Sequence, residues 1–308
     1  MNLTLGVAAH VDAGKTTLCE QLLRRAGVIR ACGRVDHGDA FMDDDPMERA
    51  RGITIFTEQA TLAWPVSEDE PLLVTLMDTP GHVDFSGEME RALSVLDAAL
   101  LVVSCVEGVQ SHTVTLFKLL RKKRIPTLIF LNKTDREGAD AARVTAQMQR
   151  LLSGDCVLMT GADADALKEE LAARDEALLE AHFSDCAKRE DYLDGARRAF
   201  LNGALFPVLA GSALTGTGVD ELMRAIAALC KTDWASRESL PFAGQVYRVR
   251  RIGGVRYAYV KATAGVLRVR DEVNTARGTQ KVSALMLPQG GKLTTLGELS
   301  AGRTAAVA

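Results

Sequence analysis

The stretch Leu3-Thr4-Leu5-Gly6-Val7-Ala8-Ala9-His10-Val11-Asp12-Ala13-Gly14-Lys15-Thr16-Thr17-Leu18 joins an apolar run to an amphipathic one through a short loop. Leu3 to Ala9 reads as a buried strand. A helix is expected from about Lys15 to Ala26, with Leu18, Leu22 and Leu23 on one face. Gly14-Lys15-Thr16 between strand and helix is the setting of a phosphate loop. Its backbone N–H groups can cradle a β-phosphate at the helix N-terminus. Lys15 would reach the β- and γ-phosphates, and the Thr16 hydroxyl would ligate Mg²⁺. Ala9 stands where such loops usually carry their first Gly, so the pattern needs support from elsewhere.

Three later segments supply it. Asp78-Thr79-Pro80-Gly81 closes the apolar run LLVTLM, where an acidic residue can hold Mg²⁺ through water and the Gly81 N–H can meet a γ-phosphate. Asn132-Lys133-Thr134-Asp135 closes PTLIFL. The Asp135 carboxylate can accept from guanine N1–H and N2–H₂, a donor pair that adenine lacks, so selection is sharp. Gly211-Ser212-Ala213 follows another short strand and offers N–H groups to guanine O6, with Leu214 next in the chain. Each motif alone is an ordinary strand-ending turn. Four of them in order, each at the carboxyl end of an expected strand, mark the edge where open α/β sheets bind ligands.

Further strands are expected at Ile53–Trp64, Leu72–Met77, Ala98–Cys105, Pro126–Leu131 and Phe206–Ala210, with helices at Met89–Leu96, before Arg124, near 163–181 and 189–202, and at Val219–Cys230. This alternation predicts an α/β fold, a mostly parallel sheet wrapped by helices. Residues 30 to 52 lack periodicity and read as a long functional loop. The basic run Arg121–Arg124 suits the last turn of a helix. We expect a first domain over 1–230 with a helical insert near 140–203, a polar linker at 231–240 and a second domain over 241–308. In the last, short alternating strands (GQVYRVR, RYAYVKATAG, GVLRVRDEV, KVSALML) predict a small antiparallel β-barrel. The apolar ending RTAAVA suggests a piece of a longer protein, with the barrel cut short.

With 308 residues, 47% hydrophobic and 25% charged, the chain is neither disordered nor fibrous. Its six cysteines form no CxxC pair, which argues against a zinc knuckle or a disulfide framework and for a reducing cytoplasm. No apolar run reaches 18 residues, so no membrane contact is expected. The net charge of −3 hides an asymmetry: residues 241–308 carry eleven Lys or Arg against three Asp or Glu. A basic module on an acidic one points to phosphate or another acidic surface as what the second module faces. His10, His37, His112 and His182 do not pair at metal-ligand spacing.

The loop AHVDAGKTT, the segment Glu48-Arg49-Ala50-Arg51-Gly52-Ile53-Thr54-Ile55 and the run DTPGHVDF resemble translational GTPases of the elongation factor G type. Within that group the chain is most similar to the ribosomal protection proteins of tetracycline resistance. Gly33-Arg34-Val35-Asp36-His37-Gly38, Glu107-Gly108-Val109-Gln110 and the 75-residue spacing between Asp135 and Gly211 point there. The resemblance covers the whole chain and implies roles. Thr54 would close on Mg²⁺ in the GTP state within a nucleotide-ordered loop. His82 would orient the attacking water once the ribosome repositions it. Val11 and Ile53 match an apolar gate that keeps His82 withdrawn. Asp12 matches a loop acid that aids water or cation positioning, and Lys133 would lie along the guanine ring.

The implied activity is ribosome-stimulated GTP hydrolysis with GTP/GDP and Mg²⁺ as ligands. The ribosome would be met by the first domain and the basic second domain, with no role for DNA and a cytoplasmic monomer as the expected form. No arginine finger is evident, so unassisted turnover should stay below about 10⁻² s⁻¹. The alternatives are another elongation factor G-like or release-factor GTPase, and a GTP-binding switch module with little turnover. Ile53-Thr54-Ile55 and the short spacing weigh against the former, and intact Thr54, Asp78 and His82 against the latter.

Overall fold

A computed structural model describes residues 1–33, 41–42, 58–65, 71–79, 86–161, 163–184, 186–276 and 278–308. In chain order its first elements are β1 (Asn2–Ala9), α1 (Lys15–Arg25), β2 (Glu58–Trp64), β3 (Leu72–Asp78), α2 (Ser86–Leu93), β4 (Ala98–Ser104), α3 (Ser111–Lys122), β5 (Thr127–Asn132) and α4 (Ala141–Leu151). There follow β6 (Cys156–Leu158), α5 (Ala164–Ala172), α6 (Glu176–Phe183), α7 (Arg189–Leu201), β7 (Phe206–Ala210) and α8 (Val219–Leu229). The chain divides into two compact units, one of Val7–Arg25 with Asp97–Lys231, the other of Met1–Gly6, Ala26–Leu96 and Thr232–Ala308.

The first of these units holds the strands β4-β5-β7-β6 in that order, every pairing parallel. All seven residues of β4 and all six of β5 are buried. Strands covered on both faces read as continuous apolar runs, which is why Ala98–Ser104 and Thr127–Asn132 are legible without alternation. Helix α8 buries Val219, Leu222, Met223, Ile226 and Leu229, the one-sided spacing of a helix packed on a core.

The structure departs from the sequence reading in the insert. The stretch 163–181 is two helices, α5 and α6, with Asp175 between them. The Asp175 carboxylate accepts from the Leu178 N–H at 2.9 Å as the N-cap of α6. Helix α4 falls within the helical insert expected near 140–203, though no separate helix is expected at its position, and strand β6 is an addition to it. Helix α2 starts and ends three residues earlier than expected.

In the other unit β2 pairs antiparallel with β3, from Glu58 opposite Asp78 to Trp64 opposite Leu72. The described part of β2 starts at Glu58, and the expected start at Ile53 lies outside the described residues. Beyond Thr232 come a 3-10 turn at Trp234–Arg237, within the segment read as linker, and nine strands. These are β8 (Ala243–Ile252), β9 (Val255–Ala264), β10 (Val266–Arg268), β11 (Glu272–Thr275), β12 (Gly278–Lys281), β13 (Leu285–Gln289), β14 (Lys292–Thr295), β15 (Glu298–Ser300) and β16 (Thr304–Val307). A five-stranded antiparallel sheet runs β14-β13-β16-β9-β8, with β10-β15 and β11-β12 as two-stranded pairs. Ala262, Leu267, Val282, Leu285, Leu299 and Ala305 form its core. The expected strand GVLRVRDEV is broken where Arg270 takes φ 80, a left-handed turn between β10 and β11.

Candidate functional site

Three loops at the carboxyl ends of β1, β5 and β7 meet in the parallel-sheet unit. The first, His10 to Gly14, ends β1 and feeds α1. Ala13 N–H donates to the His10 carbonyl at 3.2 Å, and Asp12 and Gly14 take φ 61 and 92. Val11 and Asp12 are exposed on the loop, Ala13 is buried, and Lys15, Thr16 and Thr17 are half-buried in the first turn of α1.

Asn132 joins the loops. Its Nδ2 donates to the Ala13 carbonyl at 2.8 Å, and its Oδ1 accepts the Ala213 N–H at 2.8 Å. One buried amide thus satisfies a group from each neighbouring loop and is itself satisfied. The fit leaves no room for a side chain at position 14: a Cβ there would stand 2.2 Å from Asn132 Nδ2, on a backbone already left-handed. Thr134 N–H donates to the Gly211 carbonyl at 3.2 Å and fastens the second loop to the third.

Around this staple lie the residues that the sequence reading expects to meet a guanine base. Asp135 is exposed and has no hydrogen-bond or ion partner among the described residues. Lys133, at φ 70, is aligned by an ion pair with Glu107 at 3.1 Å. Sequence reasoning misses that role for Glu107, since 107–110 enters there only as a family mark. Ser212 and Ala213 are buried and Leu214 is exposed. Here the structure differs from expectation in detail. The N–H groups of Gly211, Ser212 and Ala213 go to Leu131, Thr217 and Asn132, leaving the Leu214 N–H as the one without a partner among the described residues.

Asp78 is fully buried at the end of β3, and Thr79 beside it is also buried. The Asp78 carboxylate and, in the other unit, the Thr16 hydroxyl are each a hard oxygen donor of the type that Mg²⁺ takes. Among the described residues no cluster of three or more His, Cys, Asp or Glu could hold a metal by protein ligands alone. Thr54, Gly81 and His82, with Ile53, lie outside the described residues. His10 and His112, which sequence spacing does not pair, bring their rings to 6.1 Å. Cys105, whose N–H donates to the Asn132 carbonyl at 2.7 Å, is buried, and that burial pushes its thiol above the ordinary range. Among the described residues no helix is long and apolar enough to cross a membrane.

Comparison with known proteins gives the family and the fold. The family profile described as "Elongation factor Tu GTP binding domain" matches residues 2–232. An oxytetracycline resistance protein of Streptomyces rimosus is 39% identical, the alignment covering 97% of this chain and 49% of that protein. The tetracycline resistance protein TetO of Campylobacter jejuni is 36% identical, covering 94% and 47%. A crystal structure from Thermus thermophilus superposes with a TM-score of 0.87 at 24% identity, over 100% of this chain and 52% of that one, a likeness of fold. The chain spans about half the length of the curated relatives it matches.

Proposed function

The chain belongs to the family of elongation factor Tu GTP-binding domains, and from that premise we propose that it binds GTP and GDP with Mg²⁺ and hydrolyses GTP when stimulated by the ribosome. The observation that carries the reading is the Asn132 staple, which draws the phosphate loop and the 212–214 loop together beside Asp135, exposed and without a partner among the described residues. Residues 1–230 are proposed as the GTP-binding domain, 231–240 as linker and 241–308 as the second domain.

Asp135 would accept from guanine N1–H and N2–H₂, Leu214 N–H would meet O6 beside Ser212 and Ala213, and Lys133 would cover the ring face. Lys15 would bind the β- and γ-phosphates, with Ala13, Gly14 and Thr17 completing the cradle. Thr16, Thr54 and Asp78 would hold Mg²⁺, which when bound supplies charge neutralisation to the phosphates. Gly81 would donate to the γ-phosphate and His82 would orient the attacking water, while Val11 screens the approach and Asp12 aids water positioning. Hydrolysis on this scheme is positioning and charge stabilisation rather than covalent catalysis.

The ribosomal partner is proposed from the tetracycline-resistance names of the relatives and from the eleven basic residues of 241–308. A cytoplasmic monomer is the proposed form. The test is GTP hydrolysis with and without 70S ribosomes for the natural chain and for His82→Ala. Stimulation lost in the variant supports the reading. Tight guanine-nucleotide binding with no stimulation by ribosomes sinks the GTPase half of it for this chain.

A further inference from the structure

Glu58 and Asp78 stand directly opposite each other at the end of the β2–β3 ladder, and both are buried. Opposed residues of an antiparallel pair project from the same face, and like charges there repel. A buried carboxylate beside another needs a counter-charge.

Strand β8 supplies one. Its pairing with β9 runs Val246 opposite Val260 and then Arg248 opposite Tyr259, so Tyr247 is an inserted residue, a β-bulge. A bulge re-aims the side chains beside it. Here Tyr247 is buried with its hydroxyl on Gln59, and the next residue, Arg248, is also turned inward, its side chain only 9% exposed. The Arg248 guanidinium lies 3.6 Å from Glu58 Oε1 through Nη1 and 3.6 Å from Glu88 Oε1 through Nε, with the Tyr259 ring beneath it at 5.5 Å. Arg250 reaches the same Glu58 oxygen at 3.2 Å from a more exposed position.

We propose that Arg248 is a positioning residue for Asp78: by neutralising Glu58 it leaves the Asp78 carboxylate where Mg²⁺ and nucleotide need it. The inference rests on the proposed function, since it takes Asp78 as a Mg²⁺ ligand. It makes an arginine of β8, in the same compact unit as Asp78, part of the proposed cation requirement. Removal of Arg248 takes away the more buried of the two guanidinium groups at Glu58, leaving that of Arg250 at 3.2 Å, and the reduced counter-charge pushes Asp78 from its place. Removal of the Glu58 charge as well lifts that repulsion.

The experiment follows release of a fluorescent GDP analogue from the whole chain as Mg²⁺ is varied. In Arg248→Met the Mg²⁺ concentration for half-maximal retention should rise at least about fivefold, the lower end of typical coupling between sites. In the double variant R248M/E58Q it should return to within about twofold of the natural chain, and Glu58→Gln alone should change it less than twofold. An anchoring role that does not depend on charge gives a double variant no better than R248M, which overturns the proposal. Should R248M not fold, E58Q still decides, because a fivefold loss there makes Glu58 itself the required group and overturns it too. Failure of the natural chain to bind the analogue at any Mg²⁺ overturns the proposed function and this inference together, whereas binding with an unaltered R248M removes only the inference.

Discussion

The Asn132 side chain donates to the Ala13 carbonyl at 2.8 Å, so a residue at the end of β5 fixes the height of the loop that ends β1. Its other atom takes the Ala213 N–H. Truncation to alanine would strand a buried carbonyl and a buried N–H at once. Each stranded group costs about 1–3 kcal/mol. Asn132→Ala should therefore lower stability by roughly 2–4 kcal/mol, counting partial relaxation, and weaken GDP binding at least about tenfold because the pocket loses its alignment. Urea unfolding and nucleotide titration of the same variant check both, and a stable variant with unchanged affinity would refute the staple.

Asp135 sets the second prediction. Its exposed carboxylate offers only acceptors, matched to the two donors on the guanine edge. Asparagine in its place turns one acceptor into a donor, which suits xanthine, whose O2 replaces the guanine amino group. Asp135→Asn should lose GDP affinity by about 10²-fold or more and gain affinity for xanthosine diphosphate, since a site built for one hydrogen-bond pattern rejects the analogue strongly. Asp135 is solvent-exposed, so thermal stability without nucleotide should be unchanged. Equal losses for both nucleotides would place Asp135 outside the base pocket.

Much of this site can be read before any coordinates. The strands that carry it are buried on both faces, so Ala98–Ser104 and Thr127–Asn132 announce themselves as unbroken apolar runs. Turn residues follow each at fixed points. What is not legible depends on partners distant in sequence. The Lys133–Glu107 ion pair links residues 26 apart, and the occupancy of the Ala213 N–H depends on a side chain 81 residues away. Arg248 reads as an ordinary outward residue of an alternating strand, and only the bulge at Tyr247 turns it in. Residues 163–181 fail for the opposite reason. Their apolar pattern is continuous enough to pass for one helix, and the break is made by a single local acceptor, Asp175.

That acceptor carries the last prediction. Arg198 donates to the Asp175 carboxylate through Nε and Nη2, each at 2.8 Å, and the Leu178 N–H adds a third bond at 2.9 Å. The Arg198 hydrogen bonds first, and the backbone bond next, hold the Asp175 carboxyl below the usual aspartate range. A carboxyl whose pKa is lowered by folding stabilises the folded state above its unfolded value, about 3.9. That contribution disappears as pH falls through the lower folded value. Asp175→Ala should cost about 1 kcal/mol at pH 7, the usual worth of a helix cap, with little added by an ion pair whose arginine is half exposed. The gap between variant and natural chain should stay level from pH 7 to about pH 5 and narrow below about pH 4. Urea midpoints measured at steps between pH 7 and pH 3 test it. A gap that widens toward low pH would mean the carboxyl is protonated in the folded state and that something other than Asp175 ends α5 and starts α6.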